Sequence, residues 1–418
     1  MFTLREIKHI PALFACRSCP PEKLRRIQEQ RLRATINHAC TNVPYYRKLF
    51  AGAGISPKNI RTIEDLARIP ITTKKDLRNA GLTDMLATGT NIRSCRAMTT
   101  SGTTGEPFTT YLSRSDWGIR RMMEFRALIS LGLRPSDRLA LLGPARPHIA
   151  RLHQRLGLYR GININPFLDF EEQLAILKKF QPTILWAYPT ILTALLHKSG
   201  YTLRKYIKPR YLITSAEVTT PFLKNAVQQD LKVPMFNFYG AVETGRIAAE
   251  CREHSGLHVN TDHVILEEIN GEAVVTTLNM RAMPFIRYRL GDIISFKKER
   301  CPCGSSLPLI EPPLGRQEDM ARLPDNTLVS PFLFMFIFRE FPQLAQFRLI
   351  QETLDHFVLQ IAWRHKEDGE TIASITKRFL ACVRQPVKLD VESVSYIEPE
   401  TLKFRMFISK LTEKENAA

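Results

Sequence analysis

From about residue 97 to residue 315, short apolar runs of strand length alternate with stretches of helical periodicity. Leu139-Ala140-Leu141-Leu142, Thr183-Ile184-Leu185-Trp186, Tyr211-Leu212-Ile213-Thr214 and Met235-Phe236-Asn237-Phe238 read as buried strands. Glu171–Phe180 and Pro221–Leu231 read as helices between them. Parallel strands need crossover connections, and a helix is the usual one. The alternation therefore predicts an α/β fold with mixed, largely parallel sheets. Ala273–Thr277 and Pro284–Tyr288 read as antiparallel additions.

A chain of 418 residues is too long for one compact core. The pattern changes near Leu314-Gly315-Arg316-Gln317-Glu318-Asp319, which divides it into a large domain over 1–315, a hinge at 316–318 and a small α+β domain over 319–418. In the small domain, Ser330-Pro331 has the form of a helix start. Phe347–Gln351 and His356–Trp363 read as strands, Glu370–Val383 as a helix, and Val387–Tyr396 alternates again. The first 75 residues read as helical and loop-rich, broken by Pro44, Pro57 and Pro70.

The net charge is +18, and residues 1–60 hold eleven Lys/Arg against three Glu. Much of that excess falls on a predicted helix, Glu22–Cys40, whose apolar face is Leu24, Ile27, Leu32, Ile36 and Ala39. A basic face of this kind suits an acidic carrier protein or an anionic membrane surface. Nucleic acid is disfavoured, because the chain has no named nucleic-acid motif and no stripe of interleaved aromatic and basic residues. The N-terminus lacks a signal-peptide layout and no apolar run reaches membrane-spanning length, so a cytoplasmic protein is expected. The eight cysteines do not read as a disulfide framework, and Cys16-x-x-Cys19 has no second pair at zinc-finger spacing.

Thr100-Ser101-Gly102-Thr103-Thr104-Gly105 lies between a mildly apolar stretch and an extended run. Glycines let the backbone come close to a polyphosphate, N–H groups converge on the anion, and hydroxyls add neutral donors. Further signals follow in order: Tyr239-Gly240-Ala241-Val242-Glu243-Thr244 after a predicted strand, Arg289-Leu290-Gly291-Asp292 after another, Gly315-Arg316 at the composition break, and Lys403 near the C-terminus.

This ordered set resembles the adenylate-forming superfamily, and most closely its branch of phenylacetate–CoA ligases and CapK-type proteins. Asn42-Val43-Pro44-Tyr45-Tyr46-Arg47 and Ile69-Pro70-Ile71-Thr72-Thr73-Lys74 resemble the same branch. The resemblance implies ATP-dependent activation of a small carboxylic acid as an acyl-adenylate. Transfer to coenzyme A or a carrier-protein phosphopantetheine would follow, with the small domain turning about the hinge. It assigns Thr100, Ser101, Gly102, Thr103, Thr104 and Gly105 to the phosphates of ATP, with Thr104 also catalytic. Glu243 would hold Mg²⁺, Tyr239 would stack on adenine beside Gly240, and Asp292 would take the ribose hydroxyls. Arg316 would assist at ribose or phosphate, and Lys403 would bridge the carboxylate and the α-phosphate. The acyl and nucleotide pocket would draw on Pro144–His148, Tyr188-Pro189-Thr190 and Ser215-Ala216-Glu217, with Ala216 and Glu217 on the nucleotide. The chain departs from the family pattern at Glu106, where relatives often carry Lys, at Glu318, where Asp is commoner, and at Leu402, where Gly usually precedes the lysine.

Cys251, His258, Cys301 and Cys303 form a Cys-x₆-His and Cys-x-Cys set. Three thiolates and an imidazole suit tetrahedral zinc, and four protein ligands leave no open position, so the metal would be structural. His254 and His263 are alternative ligands by position. Two other readings fit the same sequence. One is an adenylating enzyme that passes its acyl group to an amine or a sugar. The other is a catalytically weak nucleotide- and zinc-binding scaffold.

Overall fold

The structure, a computed structural model, describes residues 19–100, 107–143, 152–316, 321–329, 334, 337, 338, 340–398 and 405–411. The alternating segment forms an eight-stranded sheet. Its spatial order is Leu309–Ile310, Leu257–Val259, Gly245–Glu250, Met235–Ala241, Tyr211–Ser215, Ile184–Ala187, Arg138–Leu142, Arg160–Ile164. From Met235–Ala241 to Arg160–Ile164 all neighbours are parallel, and on the other side all are antiparallel.

The parallel half is covered on both faces, which explains why its strands read as apolar runs without alternation. Tyr211–Ser215 is buried at every position. On one face Leu174, Leu177, Leu192, Leu195, Leu223 and Val227 pack onto Ala140, Leu185 and Leu212. Each such leucine contributes about 1.5–3 kcal/mol by leaving water. On the other face Ala127 and Leu131 meet Ile184, Ile213, Phe236 and Phe238. The covering helices start where the sequence provides caps. Asp169 accepts from the Glu172 N–H, Thr220 from the Leu223 N–H, and Ser113 with Asp116 forms a reciprocal capping box.

A second, antiparallel sheet runs Val264–Ile269, Glu272–Thr277, Tyr288–Ile293, Gly315–Arg316. The helices Pro21–Asn42 and Pro44–Gly52 pack Leu32, Ile36, Tyr46 and Phe50 against its Ile265 and against Leu278 and Ile286. Much of the predicted basic face is engaged within the chain. Arg25 pairs with Glu29 and Glu64 at 2.9 and 2.6 Å, Arg31 donates to the Asp262 carbonyl, and Arg33 donates to the Arg61 carbonyl.

Two elements differ from the pattern that the sequence predicts. Pro284–Tyr288 is not a strand; the strand begins at Tyr288 and runs to Ile293, so Arg289–Asp292 lies inside it rather than after it. Pro284 has no N–H, Arg287 takes a positive φ of 44°, and this stretch is tied to Tyr46 and Thr72 instead of a ladder. Likewise the strand from Met235 continues through Gly240 to Ala241, with a register shift at Tyr239/Gly240.

The C-terminal sheet runs Lys388–Val394, His356–Trp363, Leu344–Gln351, Phe407–Ser409. The Gly369–Val383 helix buries Ile375, Phe379 and Val383 against it, with Phe334, Phe338 and Phe357. This is the expected small α+β unit. It rests on the large one where Phe222 meets Ala345, Ala362 and Ile397, and where His197 stacks on Tyr396 at 5.0 Å. The expected helix start at Ser330-Pro331 and Cys16 lie outside the described residues.

Candidate active site and metal-ligating cluster

The parallel strands Ile184–Ala187, Tyr211–Ser215 and Met235–Ala241 share one direction. The segments after them, Tyr188-Pro189-Thr190, Ser215-Ala216-Glu217 and the Val242–Thr244 turn, therefore leave the same end of the sheet. Ligands of open α/β sheets bind at that carboxyl end.

Tyr239 is buried, and its hydroxyl donates to Asp292 Oδ2 at 2.8 Å. Asp292 reaches it from the second sheet through a bulge. Val274 pairs with Arg289 but Glu272 pairs with Ile293, so Leu290–Asp292 carries extra length. Gly291, at φ 77°, provides the left-handed residue that such a bulge needs. Asp292 also sits opposite Arg316 in the short Gly315–Arg316 pairing. The three sequence-predicted residues Tyr239, Asp292 and Arg316 are thus neighbours through two sheets.

Glu243 is buried, and its Oε1 accepts from the Tyr288 hydroxyl at 3.2 Å. The Asn42–Arg47 and Ile69–Lys74 segments explain how Tyr288 is held. Tyr46 accepts from the Ile286 N–H at 2.9 Å and donates to the Pro284 carbonyl at 3.2 Å. The Thr72 N–H donates to the Arg287 carbonyl, and the Arg289 N–H to the Thr72 carbonyl, both at 2.9 Å. Glu217 Oε2 accepts the N–H and hydroxyl of Thr190 at 2.9 and 2.5 Å, at the first turn of the Pro189–Lys198 helix. Beside it, burial and the charge of Glu217 push the Tyr188 hydroxyl up to about 12. Ala216 carries a positive φ of 72°, uncommon for a residue with a side chain.

The Thr100 N–H donates to the Phe108 carbonyl at 2.9 Å and Thr100 Oγ1 accepts the Phe108 N–H at 2.9 Å. Thr100 thus closes the neck between the paired strands Arg96–Thr99 and Thr109–Leu112. Lys74 Nζ donates to Thr100 Oγ1 at 3.3 Å, which sets a cation beside that neck. Ser101, Gly102, Thr103, Thr104, Gly105, Glu106, Pro144–His148, Glu318, Leu402 and Lys403 lie outside the described residues.

The sequence alone does not reveal the side chains packed around Glu243 and its turn. Arg120 and Tyr288 belong to no motif, and by position His263 reads as a metal ligand. The signal was present in the Arg114–Ser130 helix, where Asp116 and Arg120 share the stripe of Met123 and Ala127 and are buried with them. Charges on the apolar face of a helix are rarely buried without a partner.

The ligand atoms of Cys251, His258, Cys301 and Cys303 lie within 4.8 Å of one another. The Cys251 and Cys301 sulfurs are 3.5 Å apart, and Cys303 Sγ is 3.4 Å from His258 Nε2. A tetrahedral zinc with bonds near 2.3 Å sets sulfurs about 3.8 Å apart, so the donor set fits that metal. His258 Nδ1 lies 3.4 Å from the Leu307 carbonyl, which leaves Nε2 as the ligand atom. His254 and His263 are not part of the cluster. His254 is bound to Glu250 at 2.9 Å and stacked on Phe236, and His263 is bound to the Thr244 carbonyl at 3.2 Å.

No protein-family model matches the sequence. The chain is 31% identical to phenylacetate–coenzyme A ligase of Thermus thermophilus over 326 residues, 72% of each chain. It belongs to the phenylacetate–coenzyme A ligase family. The Escherichia coli phenylacetate–coenzyme A ligase is 29% identical over 65% of this chain and 67% of its own. Protein CapK of Staphylococcus aureus is 23% identical over 65% and 63%. Among solved structures, a 2-hydroxyisobutyryl-CoA ligase in its postadenylation state has a TM-score of 0.80 at 17% identity, covering 96% of this chain and 93% of that one. An anthranilate CoA ligase bound to anthranoyl-AMP has a TM-score of 0.56 at 16% identity, covering 77% and 66%. These likenesses show that this member of the phenylacetate–coenzyme A ligase family has the fold of adenylate-forming CoA ligases. Among the described residues no helix is long and apolar enough to cross a membrane.

Proposed function

We propose that the chain is an ATP-dependent acid–thiol ligase. The observation that carries this reading is the 2.8 Å Tyr239–Asp292 bond at the carboxyl end of the sheet, in a member of this family. It joins the residue for the adenine face to the residue for the ribose.

In the first step a carboxylate oxygen attacks the α-phosphorus of ATP. The P–O bond to the β-phosphate breaks, and pyrophosphate leaves with the acyl-adenylate formed. In the second step a thiolate attacks the acyl carbon, AMP departs, and the thiol proton is released to solvent. Two anions meet in the first step, so positive charge and oriented donors must screen them. Thr100, Ser101, Gly102, Thr103, Thr104 and Gly105 would take the β- and γ-phosphates, with Lys74 close to Thr100. Lys403 would neutralise the approaching carboxylate, and Arg316 would serve the ribose or phosphate. Ala216 and Glu217 would border the nucleotide. Glu243 would hold Mg²⁺, which shields phosphate charge when bound; one carboxylate suffices, because Mg²⁺ keeps most of its waters and takes phosphate oxygens. The hinge at 316–318 would let the small domain reorient before thiol attack. Zinc on Cys251, His258, Cys301 and Cys303 would brace the antiparallel edge of the large sheet, where His258 pairs with Leu309. A cytoplasmic site of action agrees with coenzyme A or a carrier phosphopantetheine as the thiol.

The test is ATP–pyrophosphate exchange over a panel of carboxylic acids, followed by coenzyme A, amines and amino sugars as acceptors. The expected result is acid-dependent exchange without coenzyme A, and AMP plus thioester with it. Exchange with acyl transfer only to an amine or sugar would redirect the second step. ATP binding with no exchange for any acid would leave a scaffold.

A further inference from the structure

Arg120 is 5% exposed, in the middle of the Arg114–Ser130 helix. Its Nη1 donates to the Val242 carbonyl at 2.7 Å, and its Nη2 donates to the Glu243 carbonyl. The next carbonyl, of Thr244, lies 3.2 Å from His263 Nε2. A carbonyl can only accept, so Nε2 carries the proton. His263 has no exposed surface. Three consecutive carbonyls of one turn are therefore gripped by two buried side chains from separate parts of the fold.

A buried guanidinium needs compensation. The charges of Glu243, Asp116 and Glu124 favour its protonated state, while the two acids on its own helix make their hydrogen bonds elsewhere. Asp116 accepts the N–H groups of Ser113, Arg281 and Ala282 at 3.0, 2.9 and 3.1 Å, and Glu124 pairs with Arg246 at 2.8 Å. Arg120 is thus directed at the turn. The chain makes room for it: a Cβ on Gly245, whose φ is 82°, would stand 3.1 Å from the Arg120 side chain. On the other side of the turn the Glu243 carboxylate meets the Tyr288 hydroxyl at 3.2 Å. Backbone and side chain of Glu243 are both constrained. Mg²⁺ demands near-ideal octahedral geometry at short range, so a lone protein carboxylate serves it only if its position is fixed.

We propose that Arg120 and His263 are positioning residues that lock the Val242–Thr244 turn and so set the Glu243 carboxylate for a divalent cation on the nucleotide phosphates. This rests on the reading of Glu243 given under Proposed function. The probes are Mn²⁺ binding to the full-length protein with ATP, followed by electron paramagnetic resonance, and ATP binding in chelator, followed by calorimetry. Arg120→Met and His263→Leu should each weaken Mn²⁺ binding about tenfold, with metal-free ATP affinity changed less than about twofold. Arg120→Lys keeps the cation, and His263→Gln keeps a donor near the Nε2 position, so each should recover much of the loss. Folded Arg120→Met and His263→Leu proteins with unchanged Mn²⁺ affinity, beside a weakened Glu243→Gln, would overturn the inference. So would equal losses with and without metal, which would mark a purely structural role. If Arg120→Met does not fold, the His263→Leu and His263→Gln pair decides. Unchanged Mn²⁺ binding in Glu243→Gln would instead refute the reading of Glu243 itself.

Discussion

Replacing His263 with Gln tests the burial of the imidazole through the pH dependence of stability. In the folded protein burial pulls His263 down to about 4 from 6.5. Asp262 opposes this, while Arg120 and Arg126 add to it, and the Thr244 carbonyl favours the protonated ring. Above pH 6.5 the ring is neutral in both states and contributes no slope. Between 6.5 and about 4 the unfolded chain binds a proton that the native state does not, so stability falls as pH falls. Below about 4 both are protonated and the loss is complete. At about 1.4 kcal/mol per pH unit, this makes about 3 kcal/mol. Gln can still donate to the Thr244 carbonyl and does not titrate. Urea unfolding of both proteins from pH 7.5 to 4 isolates the effect from other groups. The wild type should lose about 3 kcal/mol relative to His263→Gln over that range. A difference that stays flat would mean that the native ring titrates normally, and the buried, neutral His263 would be refuted.

Three more outcomes are expected. Cys301→Ser should lower both zinc content and melting temperature, measured by atomic absorption and calorimetry; a metal-free wild type of undiminished stability would end the zinc proposal. Lys403→Ala should abolish pyrophosphate exchange while ATP affinity stays within a few-fold by calorimetry, and retained exchange would remove Lys403 from the mechanism. Gly291→Ala should cost about 1–2 kcal/mol and weaken ATP binding, because the bulge that aims Asp292 needs a positive φ, and Gly291→Asn should cost less; equal effects from both would argue against backbone strain as the cause.

The parallel strands were legible because burial on both faces writes itself as unbroken apolar runs, and the zinc-type cluster because each of its two pairs, Cys251 with His258 and Cys301 with Cys303, is closely spaced although the pairs lie far apart in sequence. The partners of Glu243 were not. Arg120, His263 and Tyr288 come from distant segments, and each has a common alternative reading: surface arginine, structural histidine, strand aromatic. The misplaced strand at Pro284 has a similar cause. Its apolar composition reflects packing under Tyr46 and Phe108, not ladder pairing. The bulge at Asp292 depends on how Glu272–Thr277 is registered against Tyr288–Ile293, which no local pattern records.

The seam between the C-terminal sheet and the large unit includes the His197–Tyr396 stack, the Arg364 guanidinium 5.1 Å from the Phe222 ring, and a small apolar contact. Aromatic pairs of this type contribute about 0.5–1.5 kcal/mol beyond the area they bury. A cation–π contact contributes about 0.5–1 kcal/mol at an exposed site, so those two ring contacts together would bias the arrangement only modestly, and a ligand with a few good hydrogen bonds to one side would tip the balance. If the small domain reorients as proposed, substitutions at His197 or Tyr396 would change how long it dwells in this arrangement while leaving every group proposed to meet the nucleotide intact.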